Sequence, residues 1–432
     1  MNMANDKSYS HRWIVSQEGS RQTYAVPLGF QKLRQLKTFY VDIWCRRFRS
    51  LLKRGPTGAR ALATRFHPDI PTDRVVSYDA MSIVSRASVQ LRRSKLDDHD
   101  LSMEFLRFGS WFATKVRKDL ARVDLDPVKD IFFGFNIDSL ETLEHLKGRG
   151  VFTVLDQVDP GKVEEDMVIE ERQRWPGWEN STTRISEFVW RRIKSEWELA
   201  DLILVNSQWS KSALLRQGVL PERIIVVPLA IDLHGWKAGS PINPNGPLKV
   251  LWLGTIILRK GIQYLVEAAR LLEHHDIEFL VVGPSYISPY VIKTFPKSMK
   301  LFGRVTRDQL NEIYKLGHVF VLPTVSDGFA VTQLEAMLNG LPVIATTNCG
   351  DVVTDGVDGL LVPARDGQAL ASAILKLDQD RVLLRQMSCK ALEKIKEFDV
   401  PQNALLINEF VDMARNGKAD GRDKAQEAGD CG

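Results

Sequence analysis

The sequence predicts an α/β protein of two Rossmann-like lobes, and three observations carry that prediction. Apolar runs of strand length alternate with helical patterns, the grammar of parallel sheets covered by helices. Val319–Leu322, a turn at Asp327 and Gly328, a helix, and Val343–Ala345 make one complete strand–turn–helix–strand unit. The chain, at 432 residues, is too long for one core. A breaker-rich stretch with Pro241, Pro244, Asn245, Gly246 and Pro247 divides it.

The first lobe spans 1–227. Arg12–Ser16 reads as a strand, Gln17–Ser20 as a turn, and a helix follows to about Lys37. Thr38–Ile43 is the second strand. Residues 55–73 carry Gly55, Pro56, Gly58, Pro68 and Pro71 and read as a loop. Val75–Tyr78, Asp130–Gly134, Val151–Leu155, Leu202–Val205 and Ile224–Val227 complete the strands. Leu101–Leu120, Ser139–Lys147, Glu164–Arg174 and Glu187–Ala200 are the helices between them. A linker, 228–247, leads to the second lobe, 248–400. Its strands are Leu248–Leu253, Glu278–Val282, Leu301–Phe302, Val319–Leu322, Val343–Ala345 and Leu360–Val362, with helices starting near Lys260, Thr306, Phe329 and Asp366. A helix over 401–415 and a Gly-, Ala-, Asp- and Lys-rich tail over 416–432, expected to be disordered, close the chain.

Hydrophobic content of 44% and charged content of 26% are ordinary for a soluble globular protein. Cys45, Cys349, Cys389 and Cys431 are scattered, with no metal spacing, which predicts a reducing compartment and no structural zinc. No apolar run approaches the ~18 residues of a membrane span, and the first residues lack the apolar core of a signal peptide. A cytoplasmic protein is expected. Residues 1–100 hold 18 Lys/Arg against 9 Asp/Glu, a local charge of +9 within an overall +4. That basic lobe suits an anionic partner. No nucleic-acid motif accompanies it, so a membrane surface is the partner it predicts. Trp44, Phe48, Leu51 and Leu52 recur at helical spacing among Arg46, Arg47, Arg49, Lys53 and Arg54, the pattern of a basic amphipathic face for anionic lipid or of a core face with solvated arginines.

Two segments carry chemistry. The helix after Asp327 and Gly328 would present free backbone N–H groups, from about Phe329 to Thr332, at the C-terminal edge of the sheet, where an anion binds. Glu335, about two turns further along, reaches a ligand's hydroxyls. In Leu253–Gly261, Arg259 and Lys260 stand at a helix start, where cations oppose the helix dipole; a diphosphate there gives the placement a reason. Asp156 ends a strand on the ligand-binding side of the first sheet, as a ligand contact or as a turn cap. Trp175 and Trp178 would stack on a ligand or plug the domain interface. Asp124 and Asp126 form an Asp-x-Asp pair that reads as a loop rather than a metal site.

The run D-G-F-A-V-T-Q-L-E-A-M-L-N-G-L-P, Asp327 to Pro342, resembles the signature of glycosyltransferase family 4 (glycosyl transferases group 1), retaining sugar-nucleotide enzymes of the GT-B fold, whose two lobes face each other across a cleft. The family pattern is Glu, seven residues, Glu; here the first acid is Asp327. The resemblance implies that Asp327 contacts the reacting sugar, that Gly328, Phe329, Ala330 and Val331 cradle the donor, and that Glu335 binds the ribose. Lys260 matches the family's phosphate lysine. Thr255 stands where the family has arginine, with Arg259 as its substitute. Arg304 and Val305 fall at the nucleobase pocket. Gly19 stands in the reduced glycine loop, and Asp156 where many members have histidine. V-P-L-A-I-D, Val227–Asp232, is similar to the interdomain linker.

The resemblance implies transfer of a sugar, with retention, from a nucleotide-diphosphate sugar to a saccharide, lipid-linked or small-molecule acceptor in polysaccharide or glycoconjugate biosynthesis. It implies no cofactor and no metal; the basic lobe, in a protein expected in the cytoplasm, adds a peripheral place on the inner face of the membrane. A GT-B epimerase or phosphorylase stays open, and the departures at Thr255 and Asp327 also leave open a non-catalytic sugar-nucleotide-binding protein.

Overall fold

The computed structural model of the chain describes residues 10–47, 49–52, 54–55, 57–92, 98–179, 184–234, 239–242, 245–306 and 309–429. Two parallel sheets organise it. The first comprises β1 (Arg12–Gln17), β2 (Leu36–Val41), β3 (Val75–Ser77), β4 (Asp130–Phe135), β5 (Phe152–Gln157), β6 (Leu202–Val205) and β7 (Ile224–Val226), in the order β3-β2-β1-β4-β5-β6-β7. The second comprises β8 (Leu248–Leu253), β9 (Ile277–Val282), β10 (Met299–Gly303), β11 (Val319–Leu322), β12 (Val343–Thr346) and β13 (Gly359–Val362), in the order β10-β9-β8-β11-β12-β13. The pairings in both are parallel. Central strands such as β4 and β11 are buried along their whole length, as continuous apolar runs covered on both faces must be. In each sheet the strand order reverses beside the first strand, between β1 and β4 and between β8 and β11. Open α/β sheets bind ligands at that switch point, beyond the carboxyl ends of the strands.

Several boundaries depart from expectation. The first helix ends at Lys32, not near Lys37. Arg34 turns left-handed at φ 61°, and Gln35 N returns a bond to Phe30 O at 2.8 Å, a helix stop built without glycine. Residues 55–73 contain a helix, Thr57–Ala63, where alanines and Leu62 outweigh Gly58. A helix over Asp79–Arg92 went unanticipated. The helix expected over 401–415 spans Val400–Gly429 and takes in most of the segment expected to be disordered. That segment is short of apolar periodicity, and a helix already started runs on through its alanines and lysines.

The two domains interpenetrate. Val400, Ala404, Ile407 and Val411 of the last helix are buried in the first domain's core. Asn408 accepts from Trp13 Nε1 at 3.1 Å and donates to Gln35 at 2.9 Å. Gly29 permits that docking: a Cβ there would lie 2.9 Å from the Ala404 methyl. In exchange, Trp178, at the end of the helix Lys162–Arg174, is buried in the second domain's core, with Trp175 packed beside it at a ring separation of 5.0 Å. Of the two readings of this tryptophan pair, the structure shows the plug. Where the chain passes from the first domain to the second and back, Ile231 N bonds Phe398 O at 2.9 Å.

Of the two readings of residues 44–54, the core face holds at Trp44. Trp44 is buried against Tyr24, Phe39 and Phe66, because its ring belongs to an aromatic core rather than to a surface. Only Arg49–Leu52 is helical; Phe48 and Lys53 lie outside the described residues. No helix among the described residues is long and apolar enough to cross a membrane.

Candidate active site

The second domain's switch point is built by two loops pressed together. After β8 the chain makes a tight turn, Leu258–Lys260, ending at Gly261 with φ 75°. A Cβ on Gly261 would fall 1.7 Å from Pro323 O, so only glycine lets this turn sit against the end of β11. Thr324 Oγ1 and Val325 N both bond Arg259 O at 2.9 Å. This zipping brings Arg259 and Lys260 to Asp327.

Lys260 Nζ ion-pairs with Asp327 Oδ2, and Arg259 Nη1 lies 3.6 Å from Asp327 Oδ1. Burial would raise the Asp327 carboxyl; the Lys260 ammonium and then the Arg259 guanidinium outweigh it and hold the pKa below the ordinary value. Asp327 is therefore ionised, and the two cations are partnered by protein acids. Arg259 also meets Glu164 Oε1 at 3.0 Å. Thr255 lies half-buried on the loop after β8.

The helix carrying Glu335 is Val331–Leu338, and Ala330 before it supplies no side-chain cap, leaving the first-turn amides for another acceptor. Phe329 is buried, its ring 6.4 Å from that of Phe398. Gly328 lets the turn touch the first domain: a Cβ would lie 2.8 Å from Val158 O and 2.9 Å from Asn206 Nδ2. Glu335 Oε2 accepts from Tyr314 Oη at 2.7 Å and lines a cavity of about 590 Å³ with Ser20, Gln22, His67, Asp232, Val305 and Val331. That volume suits a small-molecule ligand. Arg304 is exposed beside it, after β10.

Across the cleft, Gly19 adopts φ 81°, and its N–H bonds Asp42 Oδ1 at 2.8 Å. Gln22, Thr23 and Tyr24 follow at φ 49°, 54° and 68°, a run of strained left-handed residues that a functional loop can hold. Asp156 does not face the cleft openly as expected. It is buried on β5, a strand covered on both faces, with Arg21 and Gln22 beside it, and burial pushes its pKa up to about 7. Its Oδ1, both amide atoms of Asn136, Gln17 Oε1 and Ser16 Oγ are buried without a hydrogen-bond partner. Unmade bonds of this kind are costly, and these cluster at the carboxyl ends of β1, β4 and β5.

Sequence reasoning missed Glu164, Ser326, Tyr314, His67 and Asp232. Glu164 was one acid among several on its helix, and His67 sat in a stretch read as connection. Only the V-P-L-A-I-D run flagged Asp232. His67, Asp69 and Asp232 could together offer ligands to a metal, but Lys32 Nζ already places a cation 2.6 Å from Asp232. Asp126 bonds Val128 N at 2.9 Å within its own turn.

Residues 247–380 match the family model described as glycosyl transferases group 1. The chain is 27% identical over 224 residues to the colanic acid biosynthesis glycosyltransferase WcaL of Salmonella typhimurium, covering 48% of this chain and 54% of that protein. It is 26% identical over 253 residues to an Escherichia coli UDP-Gal:α-D-GlcNAc-diphosphoundecaprenol α-1,3-galactosyltransferase, covering 53% and 64%. The chain spans about half the length of the first of these relatives. Among solved structures, sucrose-phosphate synthase of Thermosynechococcus elongatus superposes with a TM-score of 0.64 at 18% identity over 94% of this chain and 100% of that one. Anabaena HepE, solved with UDP and glucose, gives 0.57 at 15% over 93% and 100%. Residues 247–380 are thus similar to the glycosyl transferases group 1 family, and the two domains have the GT-B fold.

Proposed function

We propose that the protein is a retaining, metal-independent glycosyltransferase. It moves a sugar from a nucleotide-diphosphate sugar to a saccharide or lipid-linked acceptor in polysaccharide biosynthesis. The observation that carries the reading is the meeting of Lys260, Arg259 and Asp327 at the switch point of the second sheet, just before the helix whose Val331 and Glu335 line the cavity. Relatives named for colanic acid synthesis and for a diphosphoundecaprenol acceptor support the substrate class, and HepE with UDP and glucose supports the donor class.

In this reading the nucleoside occupies the cavity, with the ribose on Glu335 and the base beside Arg304 and Val305. The diphosphate lies on Lys260, Arg259 and the first amides of Val331–Leu338. As the glycosidic bond to the β-phosphate breaks, negative charge grows on the leaving oxygen, and these preorganised groups favour that state over the ground state. The acceptor hydroxyl attacks the same face of the sugar and passes its proton to the departing phosphate. Asp327 steadies the positive charge developing on the sugar ring, and closure of the cleft keeps water out. The protein acts at the cytoplasmic face of the membrane.

The test is incubation with a panel of nucleotide sugars and a diphosphoprenyl-linked acceptor, reading released nucleoside diphosphate and the product's anomeric configuration. Retained configuration supports the proposal. Nucleotide release that needs no acceptor points to an epimerase or hydrolase instead, and binding with no release under any acceptor points to a non-catalytic protein.

A further inference from the structure

At the donor site the two cations face more acid than the chemistry asks for. Beyond its contact with Asp327, Arg259 Nη1 meets Glu164 Oε1 at 3.0 Å, and Glu164 comes from the other domain. The second oxygen of Glu164 accepts from Ser326 Oγ at 3.1 Å, and Ser326 Oγ in turn accepts from Trp209 Nε1 at 3.0 Å. Asp159 adds its field to the same spot. Glu164, Asp327 and Asp159 thus outnumber Arg259 and Lys260 at a place where a polyanion has to bind.

A guanidinium grips carboxylate and phosphate oxygens with the same planar fork. Glu164 sits on Arg259 as a phosphate would, and its neighbour Ser326 directly precedes Asp327. We propose that Glu164 is a place-holder for the donor's diphosphate: it occupies Arg259 until donor entry moves it aside. The inference rests on the proposed function, since it needs a diphosphate ligand at Arg259 and Lys260.

Helix Lys162–Arg174 itself cannot swing away to make room. Its far end is pinned to the second domain by Glu171, fully buried, which accepts from Gln263 Nε2 and Tyr264 Oη at 2.8 Å and pairs with Arg365 Nε at 2.7 Å. Trp178 anchors it further. Release is therefore rotation of one side chain in the first turn, just after Gly161 at φ 66°. Burial, opposed by Arg259 and reinforced by Asp159 and Asp327, raises the Glu164 pKa to about 7, so the displaced carboxyl can leave its cation and take up a proton near neutrality. A carboxylate that must be displaced lowers donor affinity, and this sets Glu164 apart from an ordinary bridge between domains.

The test is calorimetry of UDP, GDP, ADP and inorganic pyrophosphate with the wild-type chain, Glu164→Gln and Ser326→Ala, with thermal melting to confirm that each variant is folded. Glu164→Gln keeps the size and removes the charge. It should bind its preferred nucleoside diphosphate about tenfold tighter than wild type, with a lower KM for the donor, and Ser326→Ala should show a smaller gain in the same direction. If wild type binds a nucleoside diphosphate and neither variant binds it more tightly, Glu164 is a structural ion pair and only this inference falls. If no protein of the set binds any of the probes, the glycosyltransferase reading falls and takes the place-holder with it.

Discussion

Tyr314 and Glu335, on separate elements of the second domain, share a hydrogen bond of 2.7 Å from phenol to carboxylate. Tyr314 is fully buried, and burial with the adjacent Glu335 charge holds its phenol well above the ordinary range. The phenol is thus a fixed donor that aims the carboxylate. Tyr314→Phe should raise the donor's KM about fivefold with kcat nearly unchanged, the loss of roughly 1 kcal/mol expected for one such bond. Glu335→Gln should raise KM further, because a ribose contact exists in ground and transition states alike. A fall in kcat without a change in KM would count against this placement of the ribose.

Lys260→Ala should lower kcat at least ~10²-fold, since one preorganised donor to the leaving charge is commonly worth that much. Asp327→Asn should lower kcat while leaving affinity for the free nucleoside diphosphate equal or better, because its carboxylate also pairs with both cations. Steady-state kinetics set beside calorimetry separate the two effects. Loss of nucleotide binding in Asp327→Asn, with binding intact in Glu335→Gln, would invert the two roles.

Asp156 makes stability depend on pH. Burial raises its pKa from the ordinary 3.8 to about 7, so between those values the folded protein holds a proton that the unfolded chain has released. Stability is then full at low pH and falls as pH rises through 7, by at most about 1.4 kcal/mol per pH unit for this one proton. Asp156→Asn removes that slope. Urea unfolding should show the variant gaining on wild type between pH 4 and pH 8; a constant offset across that range would contradict the buried, proton-holding carboxyl.

Trp178→Ala should cost roughly 3–5 kcal/mol, as for other buried large-to-small changes. Because the residue belongs to one domain by sequence and the other by packing, the loss should also uncouple them. Calorimetric melting should change from one transition to two.

Membrane binding should use a different face from the one the sequence suggested. Met81, Val84 and Leu91 on Asp79–Arg92, and Phe105 on the next helix, are 56%, 64%, 84% and 65% exposed, in the lobe whose first hundred residues carry the excess positive charge. Flotation with anionic vesicles should recover wild type, less so at high salt. Met81→Ser with Val84→Ser and Leu91→Ser should weaken recovery, whereas Leu51→Ser should not. Equal recovery on neutral vesicles would rule out the electrostatic part.

The second domain was readable almost strand for strand, because each of its strands is a short apolar run closed by a turn signal and its site residues lie within a few positions of those turns. Leu248–Leu253 and Val319–Leu322 fall where alternation placed them. The first domain was harder, for reasons of distance. Whether Trp44 faces lipid or core depends on Tyr24, Phe39 and Phe66 arriving from three other segments, and periodicity does not see them. Glu164 looked like any acid on a charged helix until the fold laid Arg259 beside it. Asp156 was correctly placed at a strand end, but that the run from Arg21 to Tyr24 closes over it depends on left-handed backbone at residues not known for it.

The chain crosses between domains twice, and the two passages run side by side, bonded at Ile231 and Phe398. A body joined to another by two adjacent straps can swing about the line through them like a book on its spine, but it cannot slide far or twist. Whatever motion admits a substrate is thus restricted by covalent geometry to nearly one degree of freedom. Cutting the chain just before Val400 would free one strap and take the core side chains of the last helix out of the first domain, so an engineered protein shortened there would lose its guided motion together with part of its stability.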